Sequence, residues 1–352
     1  MISFDLCQCG APLQRMERPT PAPVGGEVLL KVLASGVCHS DLHICDGHYD
    51  MGGGKRIELL ARGLLTLPLT LGHEIVGEVV AVGPEAGGVA VGDRRLVFPW
   101  IGCGTCAVCA GGEEQMCSNP RFLGVFANGG YGDHVLVPHA RYLLGIGGLS
   151  PERVAPLACS GVTTFGALKK LGSSLQRDPL VIIGAGGLGL MCLALAKAMG
   201  SPGVIVVDVD QRKREAALEA GALAAVDGSA KDAAKQIAKL AGGGARSALD
   251  LAGSSASARV GIDCLAKGGR LVVVGLFGGE VTISTPLFPL KSIIIQGSYV
   301  GSLDEMEELL DLVRRTGLPT LPIATRPLDQ ADAALNDLRA GKVVGRVVLT
   351  PS

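Results

Sequence analysis

Short runs of β-branched and other apolar residues, separated by glycine-rich turns, recur through the first half of the chain. Residues 28–33 and 75–82 are two of these runs. β-Branched side chains are typical of strands, and glycine clusters between such runs are typical of turns. The pattern therefore predicts a β-rich region that extends to about residue 155.

From about residue 156 the pattern changes to apolar strands that alternate with alanine-rich helical stretches. Repeated strand–helix units of this kind form a parallel sheet with helices on both of its faces. An acidic helix and a closing strand follow the last of these units. The predicted elements are strand 180–183, helix 188–199, strand 204–207, helix 212–220, strand 249–251, strand 271–274, helix 303–314 and strand 343–349.

Length and composition agree with this two-part α/β organisation. A chain of 352 residues is too long for one ordinary core, so two domains are expected. Its 48% hydrophobic and 18% charged residues suit a compact globular protein rather than a disordered one. The net charge of −1 gives no electrostatic reason to expect nucleic acid or an anionic membrane surface as a partner.

The cysteine content points to a reducing compartment. Residues 1–12 carry Asp5 and no apolar run, so no signal peptide is predicted. Glycines interrupt the apolar stretch 179–195, so no membrane span is predicted either. The chain has eleven cysteines, and clustered thiols in a protein without a secretion signal bind metal more often than they pair. We therefore expect a cytoplasmic protein with metal sites.

One cysteine cluster has the spacing C-x2-C-x2-C-x7-C, at Cys103, Cys106, Cys109 and Cys117. Four thiolates on one loop can complete a tetrahedral shell, which is how a closed structural zinc site is made. The alternative is a set of buried free thiols. Burial does not account for a tight cluster in a glycine-rich loop, so a structural zinc ion is predicted.

A nucleotide-binding motif, G-x-G-x-x-G, follows the apolar strand 180–183 and opens a predicted helix. In that context the first glycine makes a tight turn, the second lets a pyrophosphate approach the backbone, and the third lets helix and strand pack closely. The helix N-terminus offers free N–H groups to the phosphates. The predicted cofactor-binding residues are Gly184, Gly186, Gly187, Leu188 and Gly189.

Asp208 ends the next predicted strand, about 20 residues past this motif. A carboxylate at that place accepts hydrogen bonds from the ribose hydroxyls and repels a 2′-phosphate, so NAD is favoured over NADP. Asp208 could instead be only a helix cap or turn residue. Arg212 and Lys213 lie nearby and leave room for dual use of the two cofactors.

A second group of possible metal ligands is scattered along the chain. It comprises cysteine and histidine residues in 36–43, His73 and Glu74 in the sequence Gly-His-Glu, and Cys159 in an apolar stretch. A catalytic zinc keeps three protein ligands and an open fourth position. Two thiolates and a neutral imidazole would make the Zn²⁺ site formally neutral, which suits stabilisation of an alkoxide that must still release a hydride. Singly, each of these residues is ambiguous.

In combination, these motifs resemble the zinc-dependent alcohol dehydrogenases of the medium-chain dehydrogenase/reductase family, in its bacterial and yeast-like branch. The resemblance covers nearly the whole chain. It is carried by the segments 36–39, 72–74, 103–117, 184–189 and 344–348. It implies an NAD-dependent enzyme that interconverts an alcohol and its aldehyde or ketone, with two zinc ions per chain.

Carried over position by position, the resemblance also implies roles for single residues. Cys38, His73 and Cys159 would hold the catalytic zinc, with Glu74 as an outer partner or alternate ligand and Asp41 orienting His73. Ser40 would take the alcohol proton and pass it through a ribose hydroxyl to His43. The implied pyrophosphate contacts are His39 and Arg346.

The family fold implies a GroES-like β-rich catalytic domain, here 1–155 and 299–352, around a Rossmann nucleotide-binding domain, here 156–298. The chain would return to the first domain at its end. Bacterial relatives are commonly tetramers, so a homotetramer or a homodimer is expected.

The stretch between Cys38 and His73 is longer than is usual in this family, and residues 49–62 are the apparent extra segment. Apolar positions 57, 60 and 64 recur at helical spacing after three glycines, which predicts a short amphipathic helix. Such a helix would cap the pocket mouth, or the segment would be a subunit-contact loop. Trp100, the single tryptophan, is predicted to wall the substrate pocket, with a plain core position as the alternative.

Two other functions compete with this interpretation. A polyol dehydrogenase of the same superfamily often has a carboxylate in place of the third ligand, so Cys159 argues against it. A non-catalytic nucleotide-binding zinc protein would keep the glycine motif and the four cysteines, but it would not need Ser40 and His43.

Overall fold

The computed structural model describes residues 1–351 and contains eighteen strands. In chain order they are β1 Ile2–Leu6, β2 Gln14–Glu17, β3 Val28–Val37, β4 His48–Asp50, β5 Arg56–Glu58, β6 Leu69–Thr70, β7 Glu74–Val82, β8 Arg94–Val97, β9 His134–Val137, β10 Leu143–Gly145, β11 Leu180–Ile183, β12 Val204–Asp208, β13 Ala224–Asp227, β14 Ala245–Asp250, β15 Leu265–Val273, β16 Ile294–Gly297, β17 Ile323–Pro327 and β18 Arg346–Thr350.

Helices lie between these strands, mostly in the second half of the chain. The α-helices are α1 His39–Asp46, α2 Ala107–Ala110, α3 Pro151–Val154, α4 Ser160–Lys169, α5 Gly187–Ala198, α6 Gln211–Glu219, α7 Ala233–Leu240, α8 Ser255–Asp263, α9 Leu287–Lys291, α10 Leu303–Thr316 and α11 Ala331–Arg339. Short 3₁₀ turns cover Glu114–Met116, Ala140–Tyr142, Ala155–Ala158, Gly172–Gln176 and Leu328–Gln330. Among residues 1–351, no helix is both long and apolar enough to cross a membrane.

Five strands of the first half and the last two strands of the chain form a mainly antiparallel, seven-stranded sheet in the order β10-β8-β7-β3-β18-β17, with β9 also paired to β3. Strand β3 pairs with β7 on one side and with the C-terminal β18 on the other. The end of the chain therefore returns to the β-rich half, as the family fold implies. A separate three-stranded sheet has the order β2-β1-β6.

The second half forms a six-stranded sheet in the order β13-β12-β11-β14-β15-β16, and every pair in it is parallel. Strand β11 is apolar throughout and fully buried, as expected for a parallel strand covered on both faces. The strand order reverses between β11 and β14. In open α/β sheets a ligand crevice lies at the carboxyl ends of the strands at such a reversal. The predicted α/β fold class is confirmed.

The predicted helix in the segment 49–67 is wrong. The chain forms a hairpin there, with β4 paired antiparallel to β5, followed by turns. Gly52, Gly53 and Gly54 all have positive φ, of 78°, 57° and 76°, and the Lys55 N–H donates to the Gly52 carbonyl at 2.9 Å. The three glycines thus build the turn that folds the chain back.

The burial pattern after this turn explains why the helical spacing of apolar residues gave a wrong prediction. Leu59 and Leu65 are the buried side chains, whereas Leu60 and Leu64 are 47% and 39% exposed. The apolar positions 60 and 64 therefore do not face a common core. Pairing of the two short strands, rather than an amphipathic face, determines the local structure.

Candidate active site and metal clusters

A cavity of about 420 Å³ lies between the two halves of the molecule. It is placed at the carboxyl ends of β11 and β14, where the strand order reverses. The two halves contribute different chemistry, since one brings cysteine and histidine side chains and the other a glycine-rich loop. The predicted site residues that line it are Cys38, His39, Ser40, His43, Trp100, Cys159, Gly184, Gly186, Gly187, Leu188, Gly189, Asp208 and Arg346.

Cys38, His73 and Cys159 come together beside this cavity, which the two cysteines line, and we call them the buried cluster. Their ligand atoms all lie within 4.8 Å of one another, and the two Sγ atoms are 3.8 Å apart. His73 is fully buried, and its Nε2 atom has no hydrogen-bond partner within the described chain. A buried polar atom without a partner is energetically costly. This geometry therefore fits a metal ion to which the imidazole nitrogen binds.

Asp41, in the first turn of α1, fixes the orientation of the buried cluster. Its Oδ1 lies 3.1 Å from His73 Nδ1, while its Oδ2 accepts from the Tyr131 hydroxyl at 2.8 Å and from the Cys38 N–H at 2.9 Å. With Nδ1 directed to the carboxylate, Nε2 is the nitrogen left for a metal. Histidine ligands of metals almost always donate their other N–H in this way.

The electrostatics of the buried cluster separate its two thiols. The hydrogen bond from Cys159 is the largest of the effects that hold the pKa of Cys38 well below its usual value, and His73 adds to it. The same hydrogen bond and burial raise the pKa of Cys159. Burial disfavours the charged form of His73, but the Asp41 carboxylate and the Cys38 thiol raise its pKa well above the usual value. These surroundings thus favour negative charge on the sulfur of Cys38 over that of Cys159.

Glu74 lies outside the buried cluster and is paired with Arg346 of β18. An Arg346 Nη2–H donates to Glu74 Oε1, and both side chains are buried. Burial raises the pKa of Glu74 to about 7, although the Arg346 charge opposes that effect. Gly36 makes room for this carboxylate, because a Cβ there would lie 1.9 Å from Glu74 Oε2.

Three polar side chains of α1 line the cavity above the buried cluster. Ser40 Oγ lies 3.9 Å from Cys38 Sγ, next to the position that a metal ion would occupy. The rings of His39 and His43 are 5.6 Å apart, and the His43 ring is 5.1 Å from that of Tyr49. Burial is the main effect that lowers the pKa of His43, and it lowers that of His39 as well. Both imidazoles are therefore neutral at neutral pH.

The glycine-rich loop between β11 and α5 leaves open space on the cavity side. A Cβ at Gly186 would meet no atom within 4 Å, whereas a Cβ at Gly189 would lie 2.0 Å from the Gly184 carbonyl oxygen. Gly184 itself has a φ of +102°. Gly189 is thus required by packing, and Gly186 borders empty space that a phosphate can fill. A Cβ at Gly187 would lie 2.5 Å from Arg346 Cδ.

Asp208, at the end of β12, is held by local hydrogen bonds. Its Oδ2 accepts from the Ala185 N–H at 2.7 Å, and its Oδ1 accepts from the Asp210 N–H at 2.8 Å. Arg212 is bound to Asp210 through two nitrogens at 2.7 and 3.2 Å and is not among the residues that line the cavity. Lys213 does line it.

The four-cysteine lobe, residues 103–117, brings all four predicted sulfur atoms together. Cys103, Cys106, Cys109 and Cys117 offer ligand atoms within 4.8 Å of one another. Backbone N–H groups of Cys103 and Asn119 donate to Cys117 Sγ at 3.4 and 3.3 Å and hold it in the cluster. The donor set is four sulfurs, the composition of a closed structural zinc site.

Sequence reasoning missed the residue that anchors this lobe. Glu114 is buried, and its Oε2 accepts from the Gly102 N–H at 2.9 Å and from the Tyr142 hydroxyl at 2.8 Å. Arg141 Nη2 donates to its Oε1 at 2.6 Å. A glutamate in a charged, glycine-rich stretch carries no signal of burial, so only the fold reveals this role.

An aromatic wall lines the cavity beside the buried cluster. The Trp100 ring centroid lies 5.4 Å from that of His73 and 6.4 Å from that of Tyr299, and the indole N–H donates to the Ala158 carbonyl at 2.9 Å. Trp100 is both a cavity wall and 98% buried, so the two interpretations of this residue coincide. Tyr299 also lines the cavity and was missed. Tyr49, the first residue of the segment that was expected at the pocket mouth, lines the cavity too.

These features define a two-domain protein in which a dinucleotide-binding loop faces a buried Cys₂His cluster. Family models agree with that description. The alcohol dehydrogenase GroES-like domain matches residues 25–146, and the zinc-binding dehydrogenase domain matches residues 187–315.

Individual proteins are similar over the full length. The NAD-dependent alcohol dehydrogenases of Sulfurisphaera tokodaii and Saccharolobus solfataricus are each 38% identical to this chain, over 100% of both sequences. The crystal structure of the alcohol dehydrogenase from Aeropyrum pernix superposes with a TM-score of 0.89, at 31% identity and with 100% of both chains covered. The chain therefore belongs to the zinc-binding alcohol dehydrogenase family, and the predicted family is confirmed.

Proposed function

We propose that this protein is an NAD-dependent alcohol dehydrogenase that transfers a hydride reversibly between an alcohol and NAD⁺, giving an aldehyde or ketone and NADH. One observation carries the proposal. The thiols of Cys38 and Cys159 line the same cavity as the glycine-rich loop, and His73, whose Nε2 has no partner, completes the buried cluster with them. An alcohol bound there would contact a metal site and a nicotinamide at once.

Two zinc ions per chain would have different roles. Cys38, His73 and Cys159 would hold the catalytic ion, while Cys103, Cys106, Cys109 and Cys117 would hold the structural ion. When bound, the catalytic zinc supplies Lewis-acid stabilisation of a developing alkoxide. The Arg346 partner of Glu74 favours a role for that carboxylate outside the ligand set.

Proton transfer falls to residues of the chain itself. Ser40 Oγ would accept the proton of the substrate hydroxyl, and an imidazole nitrogen of His43 would hold it on the way to solvent. The lowered pKa of His43 supports this role, since a neutral imidazole is free to accept a proton at neutral pH. Asp41 would act as a positioning residue for His73.

The cofactor would lie along Gly184, Gly186, Gly187, Leu188 and Gly189, with His39 and Arg346 near its pyrophosphate and Asp208 near its ribose hydroxyls. NAD is favoured over NADP because Asp208 lines the cavity, whereas Arg212 does not line it and is held by Asp210. Replacing Asp208→Gly together with Val209→Arg should shift the preference toward NADP. An unchanged ratio of the two kcat/KM values would refute the role of Asp208.

The hairpin β4–β5 would cap the mouth of the cavity rather than serve only as a subunit contact. Tyr49 lines the cavity, and a Cβ at Gly52 would lie 2.6 Å from the backbone of Gly279. The tip of the hairpin thus reaches across to the nucleotide-binding half. Deletion of residues 52–62 should change KM across substrates and leave the oligomer intact.

The quaternary and cellular state are part of the proposal. A homotetramer or homodimer is supported by exposed apolar side chains beside the edge strand β16, with Leu290 73% and Ile294 44% exposed. A cytoplasmic location is supported by eleven cysteines that are all free thiols. The domain division is 1–155 with 299–352, and 156–298.

The function is tested by a metal count and a substrate panel. The purified protein should contain two zinc ions per chain. It should also reduce NAD⁺ in the presence of at least one of a series of primary and secondary alcohols, and the absorbance of NADH measures this reaction. Absence of turnover with every alcohol, aldehyde and ketone, in a protein with a full zinc content, would refute the proposal.

A further inference from the structure

Arg339, the last residue of α11, carries a positive charge at the cavity. None of the sequence motifs assigns a role to this residue. Its side chain is 49% exposed, and it lines both the main cavity and an adjoining cavity of about 240 Å³. Asp46 of α1 holds its guanidinium in a two-point contact, with Nη1 and Nη2 at 2.9 and 2.7 Å from the carboxylate oxygens.

The segment that begins at Arg339 runs beside the glycine-rich loop. Arg339, Gly341, Gly345 and Arg346 all line the main cavity, and a Cβ at Gly187 would lie 2.5 Å from the Gly345 carbonyl oxygen. The end of α11 and the turn after it therefore form one wall of the crevice whose other wall is the loop at Gly186 and Gly187. That loop is where the phosphates of a dinucleotide would lie.

The two arginines of this wall differ in the state of their guanidinium groups. That of Arg346 is buried, and its Nη2 donates to Glu74. That of Arg339 is half-exposed, and only two of its five N–H donors are used by Asp46. Three donors therefore remain for an anion, and the planar guanidinium suits the oxygens of a phosphate.

We propose that Arg339 is a further cofactor-binding residue, which contacts the pyrophosphate of the dinucleotide while Asp46 holds it in place. This rests on the proposed function, since it takes the cavity to be the NAD site. The ion pair fixes a long side chain before the ligand arrives, so less conformational freedom is lost on binding. Asp46 is accordingly a positioning residue for Arg339.

The test is cofactor binding by the zinc-loaded protein, measured without turnover. NADH is titrated by its fluorescence, and ADP and adenosine are titrated as competing ligands, in wild type, Arg339→Gln and Arg339→Lys. Loss of one charge-assisted contact should raise the Kd for NADH about tenfold in Arg339→Gln. Arg339→Lys keeps the charge but not the planar guanidinium, so its Kd should rise less. The affinity for ADP should fall with that for NADH, while that for adenosine, which has no phosphate, should not change.

Arg326→Gln is the matched control. Arg326 of β17 pairs with Asp337 of the same helix α11 at 2.8 Å and lies outside the lining of both cavities. The Arg326→Gln variant should lower the melting temperature about as much as Arg339→Gln does, but it should leave the Kd for NADH unchanged. If Arg339→Gln and Arg339→Lys bind NADH as the wild type does, or if adenosine and ADP lose affinity equally, Arg339 merely ties α11 to α1 and the inference is wrong. A wild-type protein that binds no NADH would instead refute the proposed function.

Discussion

The buried cluster and the four-cysteine lobe offer similar ligand atoms but are built in opposite ways. The lobe draws its four sulfurs from a single loop, residues 103–117, and two of its cysteines are only half-buried. The buried cluster joins three separate places in the chain, and its two cysteines are 121 residues apart. All three of its residues are buried, yet two of them, Cys38 and Cys159, border an open cavity.

The four-cysteine lobe is therefore a site that stabilises the fold, whereas the buried cluster is a site that the fold assembles. In the lobe the ligands complete a closed set of four, with no place left for a substrate. In the buried cluster only three ligands converge. One of them is His73, which Asp41 holds through Nδ1, the ring nitrogen that is not offered to a metal. Damage to the lobe should therefore be measured mainly as lost stability, and damage to the buried cluster mainly as lost turnover.

The largest effect on turnover is expected from Cys159→Ser. Removing a ligand of the buried cluster should lower kcat by more than about a hundredfold, the upper end of what loss of an outer partner costs. Folding, judged by circular dichroism, and NADH binding should stay nearly intact. Cys7→Ser, at a half-buried cysteine outside both clusters, is the control. Near-normal activity of the Cys159 variant with a full zinc content would show that the ligand assignment is wrong.

Asp41→Asn should have the next largest effect. An amide cannot accept from the His73 ring, the Tyr131 hydroxyl and the Cys38 N–H as the carboxylate does. A loss of about tenfold to a hundredfold in kcat or zinc affinity is expected, and both are measured by steady-state kinetics and chelator competition. Tyr131→Phe removes only one of the three hydrogen bonds and should cost less. Equal losses in the two variants would contradict the positioning role.

His43→Gln should lower alcohol oxidation on the order of tenfold, less than a fully buried general base would cause because this ring is only partly buried. Burial lowers the pKa of His43, so the wild-type imidazole stays neutral and able to accept a proton as the pH falls through its usual value. The ratio of wild-type to variant rates should therefore persist at mildly acidic pH and shrink only once His43 is protonated. A ratio independent of pH would refute the proton relay.

The lowered pKa of His43 also has a consequence for the stability of the folded protein. A histidine whose pKa is lowered in the folded state binds fewer protons there than in the unfolded chain, so it opposes folding as the pH falls below about 6.5. His43→Gln should remove that penalty. Urea denaturation at acidic and at neutral pH measures the difference, which should favour the variant only at acidic pH.

Cys106→Ser should have the smallest effect on turnover and a clear effect on stability. Loss of the structural zinc should lower the free energy of unfolding by about 2 kcal/mol or more and remove one zinc ion per chain. Initial rates measured well below the unfolding temperature should stay near the wild-type value. Turnover lost in proportion to zinc, in a protein that remains fully folded, would show that the lobe takes part in catalysis.

Much of the architecture was predictable because it is coded locally. Strand β11 has the predicted bounds, and α5 and α10 lie within one or two residues of the predicted helices. Their signals are a fully apolar strand, a glycine motif and an acidic helical stretch. In the structure a cap that the sequence analysis did not use also fixes the start of α10, since Ser302 Oγ accepts from the Glu305 N–H at 3.1 Å. The four-cysteine lobe was predictable for the same reason, because its spacing alone brings the ligands together.

The segment 49–67 shows where local signals fail. Its apolar spacing resembles a helix, but three successive glycines at positive φ direct the chain into a hairpin. A short amphipathic pattern contributes little without a core to face, so the turn and the strand pairing determine the outcome.

By itself, the sequence determined the fold class, the glycine-rich loop and the four-cysteine lobe, since each depends on neighbours along the chain. Resemblance to a family suggested Cys38, His73 and Cys159 as partners. Only the tertiary structure decided that they converge, that Glu74 faces Arg346 and that Arg339 is the half-exposed arginine of the cavity wall. The physical reason is that burial and pairing are properties of the packed elements, and residues far apart in sequence acquire them only when β3, β7, β18 and α11 come together.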